Sequence, residues 1–492
     1  MRTLDIVIIA AYLIGMVAAG IACRGRQEDA DQYFTSKGGF RGKIGVLLVG
    51  LSITATLFSG LSFVIYTSTA YAHGAKIVVG ALGIPIAWLI LRFWFLPRYL
   101  KPGLDHPYDI IELRFGQGPR LCVSAMFILL RIGWMGAMLG APTLVLMGAA
   151  QLSSEWFWPI VLVTGLSCTL YTAIGGIRGV IVTDAIQFFI IIVGLLFIVG
   201  FILARIDLPV ATIFNELQDA GRLEILDFNF SLTETYTFWG VLLGLTISGL
   251  GSYLADLMML QRYLAAESPK AAAQSFLVNV WGAILIIISL VTVGLLLWTW
   301  YRFHPDPGIP AKSDEVLAYF IAKELPSGMA GLLIAAIMAA TMSSMTSGII
   351  ALAGTITHDW LERFGRARTS GELFHVGRLI SLSIGVAATI AGGFTTQLGP
   401  LFQVSQTMMS VFLGPMLGCM VLAVSAARVR PVGALIGMAL GALAGGVVIL
   451  SPVSFIWVAP VSSLVTILSA HLFRRSCSKS ERFIRGSSLH PD

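Results

Sequence analysis

Charged residues are scarce in this chain: Asp, Glu, Lys and Arg make up only 12% of its 492 residues, whereas 57% are hydrophobic. The apolar residues recur in runs that are too long for the helices of a soluble core. The formal net charge is +6, but the basic residues lie in short segments between apolar runs, where they orient membrane helices. The composition therefore excludes a soluble catalytic domain, indicates no nucleic-acid role, and predicts a helical protein embedded in the lipid bilayer.

Cysteine and histidine are also few. The five cysteines are scattered without a paired spacing, so the sequence predicts neither a disulfide framework nor a zinc site. The seven histidines fall in loops or at the ends of apolar runs, which argues against a metal centre within the bilayer. No His-Glu-x-x-His run is present to support an intramembrane protease, and no repeated filter-like loop favours a channel. We predict that the chain is not an enzyme.

The apolar runs predict an all-α polytopic membrane protein with about 13 transmembrane helices, because each window of about twenty apolar residues can cross the bilayer. We place the spans near residues 5–23, 43–72, 77–97, 119–150, 155–174, 180–204, 236–262, 272–300, 327–357, 376–394, 399–426, 430–450 and 453–473. Most Lys and Arg residues fall between alternate spans, which puts the amino terminus outside and the carboxyl terminus inside. We expect a multi-pass protein of the plasma or inner membrane, with a short amphipathic inner helix at 109–115 whose charges face water.

Hydroxyl residues and a glycine cluster in the middle of the second span, between Ser52 and Phe63. Hydroxyls compete for main-chain carbonyls and glycine lowers the cost of non-helical angles, so this span is predicted to be interrupted. Freed carbonyls can ligate a cation where they line a cavity within the protein. The alternative is a face of small residues that packs against another helix.

A second group of hydroxyls lies on one face of the ninth span. Ala340, Ser343, Ser344 and Ser347 follow the spacing i, i+3, i+4 and i+7, so they form one continuous helical stripe. Such hydroxyls are suitable ligands for an alkali cation, which needs several neutral oxygens. A helix-packing stripe is again the alternative.

Two charged residues are predicted at membrane depth. Asp184 lies near the start of the sixth span and is either an ion ligand or a wetted helix-start residue. Arg131 follows Arg120 by about 16 Å of helical rise, which is too deep for easy contact with water. An arginine there needs a cavity, a carboxylate or a substrate anion, and we favour a role in a binding site over a structural ion pair.

Several segments together resemble the sodium:solute symporter family, which includes carriers of proline, sugars, sialic acid, iodide, vitamins and monocarboxylates. The resemblance covers nearly the whole chain. The matching segments are Asp29 to Phe34 with Gly38-Gly39, Ala55 to Gly60, Tyr171 to Val180 with Thr183-Asp184, Asp256 with Gln261-Arg262-Tyr263-Leu264, and Ala336 to Ser347.

The resemblance implies a five-plus-five inverted repeat of the LeuT type. We expect a flanking helix and inner loop at 1–42, the first repeat at 43–205, an outer loop at 206–234, the second repeat at 235–426, two flanking helices at 427–473 and a basic cytoplasmic tail at 474–492. Small residues interrupt the first helix of each repeat, at Ser59-Gly60 and at Ser248 to Ser252. A matched pair of interrupted helices indicates a transporter binding site.

The resemblance also implies the ligands of sodium, the expected coupling ion. The principal site would use the main-chain carbonyls of Ala55, Phe58 and Ala340 with the hydroxyls of Ser343 and Ser344. A second sodium site, present in only some members, would involve Asp184, Thr346 and Ser347 together with Ser343. Whether one or two sodium ions bind, and whether a proton replaces sodium, stays open.

Differences from the family pattern narrow the range of candidate substrates. Leu57 stands where proline carriers have an aspartate, and Trp134 stands where sialic acid carriers have an arginine, with Arg131 about one turn away. The candidate substrate contacts are Ser59, Ser62, Tyr66, Arg131, Trp134, Tyr253 and Gln406. They predict import of a small carboxylate-bearing solute. The alternatives are a sensor that binds the solute without transporting it and a symporter for a neutral sugar or amino acid. The sequence does not indicate the oligomeric state.

Overall fold

The computed structural model describes residues 3–24, 29–100, 104–365, 369–394 and 401–473, and the side chains of Ala141, Ser370 and 401–408 are excluded from that description. Helices dominate the described part of the chain. Its strand-like features are isolated bridge residues, which include a parallel pair between Phe40 and Ala266. The predicted all-α class is confirmed.

The described residues form nineteen α-helices, joined by short 3₁₀ and π-helical turns. Their bounds are α1 Thr3–Ala22, α2 Ala30–Phe34, α3 Gly42–Leu57, α4 Gly60–His73, α5 Gly83–Ile90, α6 Leu96–Tyr99, α7 Asp109–Phe115, α8 Gln117–Ala150, α9 Phe157–Arg205, α10 Val210–Asp219, α11 Leu245–Leu254, α12 Leu257–Ala265, α13 Pro269–Phe303, α14 Ser313–Glu324, α15 Met329–Thr355, α16 Ser370–Phe394, α17 Leu401–Val424, α18 Pro431–Leu450 and α19 Val458–His471. A π-helical turn, Ile356–Glu362, continues α15.

Eight helical stretches in the described part of the chain are long and apolar enough to cross a membrane, or nine if one bent pair is a single span. Helix α9 lies within one of these stretches and turns at Gly176, whose φ of 57° and ψ of −163° are open to glycine but not to a side chain without strain. Its two halves follow the predicted fifth and sixth spans. The helices thus follow the predicted apolar segments, whereas the total of about 13 spans and the sidedness of the termini stay predictions.

The second span is interrupted as predicted. Helix α3 ends at Leu57, Phe58 and Ser59 are extended, and α4 begins at Gly60. Ser59 and Ser62 form a capping box, in which each side chain accepts a hydrogen bond from the main-chain N–H of the other residue. The box therefore pairs N–H groups that have no partner within the helix at the break. A Cβ at Gly60 would lie 2.7 Å from Cγ of Pro142, so glycine allows α4 to approach α8 closely.

The matching break in the seventh span does not fall at Ser248 to Ser252, and this prediction was wrong in position. Helix α11 runs unbroken through these residues and ends at Leu254. The chain then bends by 55° before α12. The break occurs at Asp256 because its side chain accepts a hydrogen bond from Met258 N at 2.9 Å and caps α12. A good cap therefore decides the position of the break, and the glycines alone do not.

Helix α15 occupies the centre of the molecule, because every residue from Leu333 to Thr355 is buried. It packs against α9 along its length, while α1 covers both from outside. Oδ1 of Asp5 on α1 accepts hydrogen bonds from the main-chain N–H groups of Gly328 and Gly331 at the start of α15, at 2.7 and 2.9 Å. Helices α17, α18 and α19 pack together at one side of the bundle.

Helix α7 has the predicted bounds, but its charges do not simply face water, and that expectation was wrong. Arg120 binds both Asp109 and Glu112 on α7 and also Asp359, which follows α15. Arg363 forms a further ion pair with Glu112. The hydrogen bond from Arg363, together with Arg120, lowers the pKa of the Glu112 carboxyl. These pairs tie α7 to the ends of α8 and α15.

Candidate ion and solute site

The last carbonyls of α3 lack intrahelical donors, because the chain leaves the helix at Phe58. Hydroxyls of α15 serve two of them. Oγ of Ser343 donates to the carbonyl of Ala55 at 2.8 Å, and Oγ of Ser344 donates to the carbonyl of Thr56 at 2.8 Å. The hydroxyl stripe of the ninth span therefore contacts the break in the second.

The carbonyl of Ala340 completes this group of oxygens. It accepts from Ser343 at 3.0 Å and from Ser344 at 3.3 Å. Phe58 forms the C-cap of α3 with an extended ψ of 100°, directly beyond the paired carbonyls. The structure thus brings four of the predicted sodium ligands together and places Phe58 beside them. Hard neutral oxygens of this kind suit an alkali cation, and their role as its ligands stays a prediction.

Asp184 follows the turn of α9 at Gly176 and is completely buried, so the alternative of a wetted helix-start residue was wrong. Its Oδ2 accepts from Oγ of Ser52 at 2.6 Å and from Oγ1 of Thr56 at 3.2 Å. Oδ1 has no hydrogen-bond partner among the described residues. The carboxylate therefore lies against the same segment of α3 whose last carbonyls meet α15.

A buried arginine, which the sequence reasoning noted only as part of a motif, neutralises Asp184. Nη2 of Arg262 lies 2.8 Å from Oδ2 of Asp184, and neither side chain is exposed. The same guanidinium donates to Ser52 at 2.8 Å and to the carbonyl of Met258 at 2.7 Å. Arg262 was detectable as a basic residue within an apolar span, but its partner was not, because 78 residues separate it from Asp184.

The other two residues of the predicted second sodium site differ in placement. Oγ of Ser347 lies 3.0 Å from Oγ1 of Thr56 and accepts from Arg262, so it belongs to the group around Asp184. Oγ1 of Thr346 donates to the carbonyl of Ser343 on its own helix at 3.1 Å. The structure therefore joins Ser347 to Asp184 and places Thr346 beside Ser343.

A cavity of about 270 Å³ begins at the break between α3 and α4 and extends toward Tyr236 and Phe455. All the predicted substrate residues with described side chains line it, namely Ser59, Ser62, Tyr66, Arg131, Trp134 and Tyr253. Gln406 lies outside the described side chains. The lining also contains Thr56 and Phe58, so the cavity and the carbonyls at the end of α3 share one wall.

Arg131 forms part of the cavity wall and is also ion-paired. Its Nη2 binds the carboxylate of Asp256, the residue that caps α12. Its guanidinium carbon lies 4.4 Å from the ring centroid of Trp134, which is a cation–π contact. Nε and Nη1 have no hydrogen-bond partner among the described residues. Arg131 therefore lies at a cavity, as predicted, and it also forms an ion pair that the sequence did not predict.

Asn279 connects the two broken spans and was missed by the sequence reasoning. Its Nδ2 lies 3.4 Å from the hydroxyl of Tyr253 on α11, and its Oδ1 accepts from Oγ1 of Thr54 on α3 at 3.2 Å. An amide in the middle of an apolar span was the available signal, because a polar group at that depth needs partners. The cavity wall and the end of α3 are thereby linked through α13.

Comparison with known proteins gives the same assignment over most of the chain. A model of the sodium:solute symporter family matches residues 33–441. The chain is 30% identical to the human sodium/iodide cotransporter over 441 residues, covering 87% of this chain and 67% of that protein. It is 28% identical to human sodium-coupled monocarboxylate transporter 1, covering 89% and 72%. It is also 28% identical to a sodium/sialic acid symporter of Aliivibrio fischeri, covering 89% and 86%.

Solved structures share the fold. A Na⁺-coupled sialic acid symporter in a substrate-bound outward-open state matches with a TM-score of 0.87 at 24% identity, over 96% of this chain and 97% of that one. Mhp1, a nucleobase-cation-symport-1 family transporter, matches in a closed conformation with a TM-score of 0.57 at 15% identity, over 92% and 98%. The named relatives belong to the branches that the sequence indicated, and they are carriers rather than enzymes. The chain is therefore a multi-pass protein of the cell membrane with sodium as its coupling ion, and it belongs to the sodium:solute symporter family.

Proposed function

We propose that this symporter imports a small carboxylate-bearing solute by alternating access. The observation that carries the proposal is Arg131, whose Nε and Nη1 have no partner within the described part of the chain while its guanidinium lines the cavity. A buried N–H donor without an acceptor costs free energy that a solute oxygen can recover. Hydrogen bonds between guanidinium and carboxylate are among the strongest that proteins form.

The size and lining of the cavity support a small solute. Its volume of about 270 Å³ lies just below the usual range for ligand pockets, about 300–1,000 Å³. The hydroxyls of Ser59, Ser62 and Tyr66 add hydrogen-bonding groups near the break, and Trp134 covers the guanidinium of Arg131. This lining suits a carboxylate with a short body better than a large sugar.

Sodium and solute would be coupled through the break itself. The carbonyl of Thr56 meets Ser344 on one side, while Thr56, Phe58 and Ser59 line the cavity on the other. A cation among these oxygens would hold α3 against α15 and fix the wall that the solute touches. Coupling of this kind is reciprocal, so the solute must raise sodium affinity by the same factor.

A second sodium ion at Asp184 would have to share or replace Arg262. The guanidinium already supplies a positive charge 2.8 Å from Oδ2, and it also contacts Ser347. Of the two carboxylate oxygens of Asp184, Oδ1 is the one without a hydrogen-bond partner among the described residues. We therefore propose one sodium ion in the conformation described, with a second only after Arg262 moves away from Asp184.

The pair of Arg131 and Asp256 favours an amino acid as the second candidate solute. The two side chains place opposite charges in one cavity wall. A zwitterion could give its carboxylate to Arg131 and its ammonium group to Asp256. This candidate differs from a simple carboxylate in needing both charges.

The test is uptake of radiolabelled solutes into proteoliposomes under an inward sodium gradient, with a panel of small carboxylates, amino acids, sugars and inorganic anions. We expect sodium-dependent uptake of one small carboxylate, and Arg131→Gln should abolish it. Arg222→Gln is the matched control, because Arg222 also stacks on a tryptophan, Trp298, but lies outside the cavity lining.

Three results would change the proposal. Unaltered uptake in the Arg131→Gln variant would remove the carboxylate assignment. Uptake restricted to amino acids and lost in Asp256→Asn would favour the zwitterion. Binding without counterflow of solute across the vesicle would indicate a sensor.

A further inference from the structure

Two histidines and an aspartate converge away from the cavity, near the end of α15. One ligand atom from each of Asp31, His106 and His358 can be chosen so that all three lie within 4.8 Å of one another. Asp31 is on α2, His106 is in the segment before α7, and His358 is in the π-helical turn after α15. Three separate segments of the chain therefore bring metal-binding side chains to one point.

One ring nitrogen of each histidine lacks a hydrogen-bond partner within the described part of the chain. Nε2 of His358 and Nδ1 of His106 are buried, and neither has a hydrogen-bond partner among the described residues. His358 is only 7% exposed, and its ring lies against that of His106 at a centroid distance of 4.2 Å and an interplanar angle of 31°. Buried nitrogens without partners cost free energy, and a bound cation would recover it.

A neighbouring carboxylate already orients the ring of His358 as a ligand requires, and a second one holds the main chain at His106. Nδ1 of His358 lies 3.0 Å from Oε2 of Glu362, which leaves the lone pair on Nε2 free for a metal. The main-chain N–H of His106 donates to Oδ2 of Asp109 at 2.8 Å, which fixes the chain beside its ring. A carboxylate behind a ligand histidine is the usual outer partner of a protein zinc site.

The separations are close to those that one small divalent ion requires: the chosen atoms lie within 4.8 Å of one another, so the side chains would draw slightly together around the ion. Two atoms bound to the same zinc ion are at most about 4.2 Å apart, because each bond is about 2.1 Å long. Nε2 of His358 and Oδ1 of Asp31 are 4.0 Å apart. The side chain of Asp31 is 62% exposed and free to approach further. Imidazole nitrogens select zinc-type ions over magnesium and calcium.

We propose that Asp31, His106 and His358 form a binding site for a zinc-type divalent cation that restrains the transport cycle. The bound ion would tie α2 and the segment before α7 to the end of the helix that carries Ser343 and Ser344. Any transport step that separates these segments would become slower. The basic residues nearby, Arg120 and Arg363, are neutralised by their own carboxylate partners and do not repel the ion.

The direct test is titration of the purified full-length protein, with any polyhistidine tag removed, by Co²⁺ as a coloured probe and then by Zn²⁺ as competitor. We expect one Co²⁺ per chain with visible absorption bands that Zn²⁺ displaces. His358→Ala should remove the bands. Glu362→Gln should weaken binding about 10-fold to 100-fold, because it removes only the outer partner. His375→Ala is the control, since His375 is exposed and outside the group.

Melting curves without metal establish that each variant is folded, and Asp31→Asn provides a further ligand variant that alters an exposed side chain. Metal bands that persist in His358→Ala, or that His375→Ala removes equally, would overturn the site. In proteoliposomes, Zn²⁺ on the predicted inner face should slow uptake by the wild type and not by His358→Ala. Equal uptake with and without Zn²⁺ would overturn the restraint on transport.

Discussion

Ser343 and Ser344 donate to carbonyls at the end of α3 that would otherwise be unpaired, and this is the contact through which sodium would act. Replacing either serine by alanine removes one oxygen from the group. We expect the sodium concentration for half-maximal uptake to rise about tenfold in each variant, because one lost hydrogen-bonding or ligand group is worth about 1–1.5 kcal/mol.

The measurement is the sodium dependence of uptake, and Thr355→Ala is its control. Thr355 is a buried residue on the same helix, and its hydroxyl donates to the carbonyl of Ala351. Unchanged sodium activation in both serine variants would remove this assignment.

The buried pair of Asp184 and Arg262 should control stability strongly. Asp184→Asn or Arg262→Gln leaves one buried charge without its partner, which costs about 3–5 kcal/mol of unfolding free energy. The double variant should recover part of that loss. Thermal unfolding of the purified protein measures it, with Asp105→Asn as control, because the Asp105–Lys37 pair is exposed and worth about 0–1 kcal/mol. Single variants as stable as this control would contradict the account.

For individual residues, the sequence predicted which hydroxyls and carbonyls meet but not which charged side chains pair. The hydroxyl stripe on α15 followed from helical spacing, because that spacing is local. The partners of Arg131 and Arg262 did not follow, since Asp256 and Asp184 come from distant segments of the chain. Ion pairing across a fold depends on helix packing, which one sequence read by itself leaves undetermined.

Among the helices, the break between α3 and α4 depends on close approach at Gly60. A Cβ there would lie 2.7 Å from Cγ of Pro142 and would also meet the hydroxyl of Thr341 on α15. We expect Gly60→Ala to push α4 away from α8 and α15 and to lower both the melting temperature and sodium affinity. Gly15→Ala is the control, because a Cβ at Gly15 has no neighbour within 4 Å. Equal melting temperatures for the two variants would argue against a tight fit at the break.

The two breaks show what local sequence can and cannot locate. Ser59 and Gly60 marked the first break because hydroxyl caps and glycine coincide there. In the second, glycines at 249 and 251 suggested a position too early, and Asp256 decided it by capping α12. Capping by a single acidic side chain can outweigh the conformational freedom of two glycines.

For the whole molecule, the distribution of positive charge predicts which side of the membrane each loop occupies. Leu113 on α7 should face the cytoplasm, and Lys312 before α14 should face outside. Both side chains are exposed, at 73% and 81%. In a chain whose native cysteines are replaced, an impermeant maleimide added to intact cells should label Lys312→Cys and leave Leu113→Cys unlabelled until the cells are opened. The reverse pattern would invert the topology.

The helical fold and its family were readable from the sequence because apolar runs and several spaced motifs extend over most of the chain. The solute was not readable to the same degree. Residues of α4, α5, α8, α11 and the middle of α17 line the cavity, so its charge balance depends on how these elements meet. The division into two repeats stays a prediction.

The most direct test of the central claim is thermal stabilisation of the purified symporter by its carboxylate, measured in sodium chloride and in choline chloride. Ligand at about 100 times its dissociation constant stabilises the native state by about 2.7 kcal/mol. The account predicts a clear rise in melting temperature only when sodium and the carboxylate are both present, with the rise lost in Arg131→Gln and weakened in Ser343→Ala. An equal rise in choline chloride, or one that persists in Arg131→Gln, would contradict it.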